Sequence, residues 1–419
     1  MNKVLKARIS VITLFDLYYI IGLIIYNYGP ISWPSKNKFI LNFFLVSIFL
    51  SINFGYLINF YTNINSNKIK FNFEKTYNIS KILVTFFNMI LIYNILNSSE
   101  VSIFYTLSQN YFSYNSNIRT QLWFKLLSYY KILLAFFIYI YFPLSFFNFY
   151  KLERKDKMLF FLNIGLTILL FIHNGTVNII FNLIIIFLLV LFIKLNKKIN
   201  KKNFLIGILI IFLLISFIAV FYQVQKSRSY STMETNKYYE LNDNFSSLKS
   251  FSSDIYFLFV KLANYLTQGI HGLDVTFSLD SNFTYFVGFS DFLLNNFSDY
   301  IDSNVFESSY QYKISKTGWP VGAKWISIFP YLFNDLGVIF TLVLFFWIGF
   351  YYNKTFAQVL INKCEISFLI FLKLTFLLLF IFSNNYIFQS GYNFVSSIII
   401  FGYYFFYDLF VKNKIGMGG

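Results

Sequence analysis

Charge is what this sequence has least of. Asp, Glu, Lys and Arg make up only 12% of its 419 residues, against roughly 25% in soluble domains. Such a chain cannot clothe itself in groups that water solvates, which excludes an ordinary soluble globular protein. Cysteine occurs once, at Cys364, so no intramolecular disulfide can form. The two histidines, His173 and His271, do not suffice for a His/Cys metal cluster, and the sequence calls for no metal and no cofactor. A Walker A loop, a Gly-x-Ser-x-Gly elbow and a His-Glu-x-x-His pair are all missing. ATP-driven transport by this chain alone is therefore unsupported. No soluble cytoplasmic stretch is large enough to hold a nucleotide sugar. The first apolar run is long and is followed by no small-residue cleavage site, so a cleavable signal peptide is not expected.

What is abundant is apolar surface: 57% of residues are hydrophobic and 23% aromatic. Phe, Ile, Asn, Lys and Tyr all have AT-rich codons, so one Phe or Asn carries little weight alone. Runs of about 20 apolar residues suffice to cross a bilayer. They read as spans near Ile9–Tyr28, Phe39–Phe60, Ile79–Leu96 and Tyr129–Phe149, then a tight pair, Met158–His173 and Val177–Ile193. Phe204–Tyr222, Phe329–Tyr351, Ile366–Phe382 and Phe388–Phe410 follow. The expected fold class is thus all-α, a polytopic membrane helix bundle of about ten transmembrane helices. Residues 1–222 hold the first seven helices, 223–328 form one large extracytoplasmic loop, and 329–419 hold the last three.

The net charge of +16 raises nucleic acid as a partner, but the positions of the charges argue against it. More than half of the 34 basic residues lie in segments that face one side if both termini are cytoplasmic, from Lys3, Lys6 and Arg8 to Lys412 and Lys414. This is the positive-inside pattern. No nucleic acid is needed to explain it.

The long loop holds most of the outward-facing polar chemistry. Within it Ile255–Leu279 is suited to a helix at the interface or packed on the bundle. Arg228 stands just past the seventh span with Lys226 close by; its planar fork suits a pyrophosphate, or it anchors the span by snorkelling. In Asn264–Asp274 two glycines permit a tight bend between His271 and Asp274. His271 reads either as a proton acceptor that also binds sugar, or as an incidental residue of a capping turn. Trp319 and Trp325, on either side of Lys324, are either interfacial anchors or platforms for a sugar ring. Asp335 falls inside the start of the eighth span, where a carboxylate is costly and a functional candidate by default; its structural alternative is an ion pair, for instance with Lys324. Asp16 in the first span is a weaker case of the same kind.

Two segments carry a family likeness. Tyr265-Leu-Thr-Gln-Gly-Ile-His-Gly-Leu and Trp325-Ile-Ser-Ile-Phe-Pro-Tyr-Leu-Phe-Asn-Asp335-Leu-Gly337, together with the layout, resemble the Wzy-type O-antigen polymerases. There are departures: His173-Asn-Gly-Thr stands where many relatives have an arginine, and Ile270-His271 where paired aromatics are common. The resemblance implies a glycosyltransferase of the bacterial inner (plasma) membrane, multi-pass with both termini cytoplasmic. It would move a growing glycan from undecaprenyl pyrophosphate to an incoming lipid-linked repeat unit, building O-antigen or capsular polysaccharide. Its implied partners are the undecaprenyl-pyrophosphate-linked glycan, membrane lipid and a chain-length regulator protein. On that reading Asp335 and His271 are catalytic, and Arg228, Lys324, Trp319, Trp325 and Asp274 bind substrate. An O-antigen ligase, with the same donor, and a repeat-unit flippase, a transporter, are the alternatives. The clustering of polar residues in one loop rather than along a central cavity argues against transport.

Overall fold

The computed structural model describes residues 3–61, 73–97, 122–173, 178–194, 215–216, 218–226, 238–280, 282–322 and 324–416. In chain order its elements are α1 (Lys3–Tyr28), β1 (Ile31–Ser32), α2 (Lys38–Tyr61), α3 (Phe73–Asn97), α4 (Leu122–Leu133), α5 (Ala135–Phe147), α6 (Arg154–His173) and α7 (Asn178–Lys194). They continue with β2 (Glu240–Leu241), α8 (Ser246–Phe251), α9 (Ser253–Thr276), α10 (Asp291–Ile301), α11 (Val305–Ser308) and α12 (Tyr310–Lys316), then α13 (Ile328–Asn362), α14 (Glu365–Leu379) and α15 (Gly391–Gly416). Among the described residues the architecture is helical, with one two-residue antiparallel pairing, Ile31 opposite Leu241 and Ser32 opposite Glu240, and an isolated bridge between Val321 and Lys324.

The chain forms two compact units, residues 1–69 with 236–419 and residues 70–235. In the second unit α3, α5 and α6 pack around Tyr77, Val84, Tyr141, Leu152 and Phe160, and α7 packs on α5 and α6. Polar side chains in its interior find one another, as buried groups must. Asn88 donates to Asn163 at 3.0 Å, and Asn163 in turn donates to Thr85 and to the Tyr141 hydroxyl. Lys81 and Asp156 form a salt bridge at 2.6 Å.

The span expected at Tyr129–Phe149 is broken. Leu134 leaves helical geometry, and the two helices meet at 68°. By length and composition α1, α2, α3 and α13 can each cross a membrane, and a fifth span results if the bent pair is one. Helix α7 is apolar but shorter. The seventh expected span, Phe204–Tyr222, falls mostly outside the described residues.

The first unit is organised by the crossing of α2 on α13. A Cβ at Gly55 would overlap the carbonyl oxygen of Phe346, and one at Gly349 would overlap that of Ile52. Backbone meets backbone at this crossing, the device by which small residues let helices pack in lipid. One end of the crossing is closed by Arg8, which is 6% exposed. It donates to Asn353 Oδ1 at 2.6 Å and to the Asn59 carbonyl at 3.0 Å, and lies over the Phe60 ring.

Helix α13 runs for 35 residues, about 52 Å at the α-helical rise and far more than a bilayer needs. Gly337, at φ 63° and ψ −171°, kinks it. Before the kink, Ile328 to Asn334 are buried among the loop helices; after it, Val338, Ile339 and Phe340 are exposed. The sequence-expected span starting at Phe329 therefore begins in a segment that belongs to the packing of the loop.

Candidate functional site

Three of the helices between residues 238 and 322, α9, α10 and α12, are opened by a serine side-chain cap. Ser252 accepts from Ile255 N–H, Ser290 from Phe292 and Ser309 from Tyr312, the role serine favours at helix starts. The longest, α9, carries the Asn264–Asp274 segment. Gly269 and Gly272 lie inside this continuous helix and make no bend. A side chain at Gly269 would overlap the carbonyl oxygen of Phe382. The glycines serve close approach of the helix to its neighbours, which helical spacing alone does not reveal.

That approach builds an aromatic cluster around His271. The imidazole stacks on Trp33, ring centres 5.2 Å apart, and meets Trp319 edge-on at 4.9 Å. Trp33 donates through Nε1 to Thr267 Oγ1 at 2.9 Å, and the Thr267 hydroxyl donates to the Ala263 carbonyl. Pairing of β1 with β2 brings Tyr239 to 5.3 Å from Trp33, and Tyr238 lies 5.6 Å from Trp319. Lys324 places its ammonium over Tyr238 at 5.6 Å, and Trp325 packs edge-on against Tyr265 at 4.9 Å. Trp319 Nε1 donates to the Trp325 carbonyl at 3.3 Å. His271, Trp33 and Trp319 are buried, while Tyr238, Tyr239, Tyr265, Lys324 and Trp325 form a partly exposed rim.

Burial holds the His271 imidazole neutral, lowering its pKa to about 4 against the opposing pull of Asp274. Its Nδ1 is buried without a hydrogen-bond partner, as are Asn264 Oδ1 in the same helix and the hydroxyl of Ser327, whose N–H bonds the Gly269 carbonyl. Buried polar atoms are almost always paired. Of the three unpaired atoms here, those of His271 and Ser327 lie where α9 meets Trp319 and Ser327.

The other predicted residues fall as follows. Asp274, 1% exposed, is committed to structure: its carboxylate accepts from Ser35 Oγ, Lys36 N–H and Asn37 N–H at 2.9–3.0 Å, fixing the entry to α2. Asp335 pairs with Thr284 and not with Lys324; its two oxygens accept from the Thr284 N–H and hydroxyl, both at 2.7 Å. Asp16 accepts from Asn53 at 3.0 Å. Arg228 lies outside the described residues.

Trp33, Tyr238 and Tyr239 were not legible as site residues, because contacts between segments distant in sequence bring them to α9 and to Trp319. A second miss is Lys373. It is 2% exposed within α14 and donates to Ser396 Oγ at 2.9 Å. One cation in the apolar run Ile366–Phe382 was a readable signal.

No family model, curated protein or solved structure matches the chain.

Proposed function

We propose that this chain polymerises undecaprenyl-pyrophosphate-linked oligosaccharide repeat units into a surface polysaccharide at the outer face of a bacterial plasma membrane. The bundle would cross the membrane about ten times with both termini cytoplasmic, as the Lys/Arg distribution and the apolar runs support. The observation that carries the reading is the unpaired, neutral His271 set between two indoles and rimmed by tyrosines and the Lys324 cation. Aromatic faces take the C–H faces of sugars, and a neutral imidazole is the form that can accept a hydroxyl proton. The ammonium of Lys324 would supply positive charge at the rim for a pyrophosphate leaving group; the sequence offers Arg228 for the same charge.

In this scheme the acceptor hydroxyl oxygen attacks the anomeric carbon of the lipid-linked glycan. Its proton passes to His271, and undecaprenyl pyrophosphate departs with the bonding electrons. Holding two lipid-anchored substrates in line supplies much of the rate. Both oxygens of Asp335 are engaged by Thr284, so the base is assigned to His271. A polysaccharide gel from a deletion strain tests the class. A single repeat unit still joined to its acceptor, with the ladder lost, supports polymerisation. Loss of every unit indicates ligation or flipping, and an unchanged ladder rejects all three. Complementation with His271→Ala or Arg228→Ala at equal expression should leave the ladder absent.

A further inference from the structure

Phe283, Tyr285 and Phe286 stand half-exposed, at 51%, 54% and 54%, on one short loop ahead of the turn Val287–Phe289. Their rings touch: Phe283 lies 5.2 Å from Tyr285 and 5.5 Å from Phe286. Tyr285 and Phe286 both take positive φ, 53° and 65°. Two bulky residues in succession rarely adopt that conformation, so something must hold it and some advantage must offset it.

The holding is explicit. Asp335 grips Thr284 through both carboxylate oxygens, and the Thr284 hydroxyl accepts from Gly288 N–H at 3.1 Å. The Gly288 carbonyl accepts from Asn334 at 3.0 Å and from Gln311 at 2.8 Å. Asn385 donates to the Phe289 carbonyl at 2.8 Å, and the Ser290 hydroxyl donates to that of Phe388. This clasp spends polar groups to push three aromatic rings outward.

What the rings meet follows from where the clasp sits. Asp335 precedes the Gly337 kink by two residues. Immediately beyond the kink α13 turns its bare apolar face outward, with Val338, Ile339, Phe340 and Val343 at 41–73% exposure. α13 is a helix that can cross a membrane, so this face is the one a bilayer would cover, and the bond of Asp335 to Thr284 sets the aromatic loop next to its end. Aromatic side chains concentrate at that depth, where the hydrocarbon gives way to head groups. Lys313 donates to the Asp280 carbonyl at 2.8 Å, which puts a cation close to the loop.

We propose that Phe283, Tyr285 and Phe286 form an interfacial anchor immersed in the lipid bilayer around α13, with Asp335 as the positioning residue that keeps the loop in its immersed form. The occupant is bilayer lipid, because the loop lies next to a face that a bilayer would cover. The inference does not depend on the chemistry proposed above.

The chain's lone cysteine, Cys364, is buried, so a Cys364→Ser background allows single labels. Phe283→Cys, Tyr285→Cys and Phe286→Cys, with Tyr300→Cys on α10 as a solvent reference at 86% exposure, would carry a nitroxide. The proteins would be placed in phosphatidylethanolamine–phosphatidylglycerol vesicles for power saturation with oxygen and a nickel chelate. Immersion predicts that the three loop labels favour oxygen several-fold over the chelate, and that Tyr300→Cys shows the reverse. Loop labels as open to the chelate as the reference, or shielded from both quenchers by a second protein copy, would overturn the proposal. Thr284→Val or Asp335→Asn should shift the loop labels toward the chelate at an unchanged elution volume. Labels that stay immersed in both variants would refute the positioning role.

Discussion

His271 lies flat against Trp33, with 16° between the ring planes and 5.2 Å between their centres. The stack joins the loop between α1 and α2 to the last third of α9, and burial there favours the uncharged imidazole.

That gives a pH dependence with a definite sign. The folded-state pKa of about 4 lies below the ordinary 6.5, so the unfolded chain binds the proton first. The stabilisation is complete above about pH 6.5 and is lost as pH falls from there toward 4. Thermal unfolding followed by fluorescence should show a drop in Tm between pH 7 and 5 that is smaller in His271→Phe. His173 is present in both proteins and cancels. Equal drops would mean that His271 is not the group being protonated.

Asp274 should matter more for folding than for chemistry. Asp274→Ala removes the acceptor shared by the part-buried N–H groups of Lys36 and Asn37, at about 0.5–1.5 kcal/mol for each bond lost. Asp274→Asn keeps one acceptor and should recover part of the loss. The checks are Tm in detergent and protein yield, and any polysaccharide defect of Asp274→Ala should scale with yield.

The crossing of α2 on α13 predicts a sharp contrast among glycines. Gly55→Ala and Gly349→Ala force backbone apart and should each destabilise by about 1–3 kcal/mol, as overpacking does. At Gly402 an added Cβ meets nothing within 4 Å; Gly402→Ala should be neutral or gain up to about 1 kcal/mol from helix propensity. Unfolding midpoints of the three variants decide it.

Arg8 should not be replaceable by lysine. Its fork reaches Asn353 and Asn59 at once and covers Phe60, a geometry an ammonium cannot reproduce. Arg8→Lys should lower Tm measurably, and Arg8→Ala further, by about 2–4 kcal/mol if both asparagine oxygens lose their partner. A lysine variant as stable as the parent would show that the fork geometry is irrelevant.

The sequence by itself determined that this chain is helical and carries helices apolar enough to cross a membrane, because apolar runs and sparse charge depend only on local composition. Helices stand where α1, α2, α3, α6 and α7 were expected, and the apolar stretch after Ser252 is a helix. Tertiary structure decided the rest. Periodicity could not show that Gly269 is a contact point within a helix, that Asp274 holds the entry to α2, or that Asp335 clasps Thr284. Those pairings join residues 51 to more than two hundred positions apart, and no local preference encodes them. Trp33 meets His271 through the same kind of distant pairing, its loop tied to α9 by the bonds to Thr267 and Asp274.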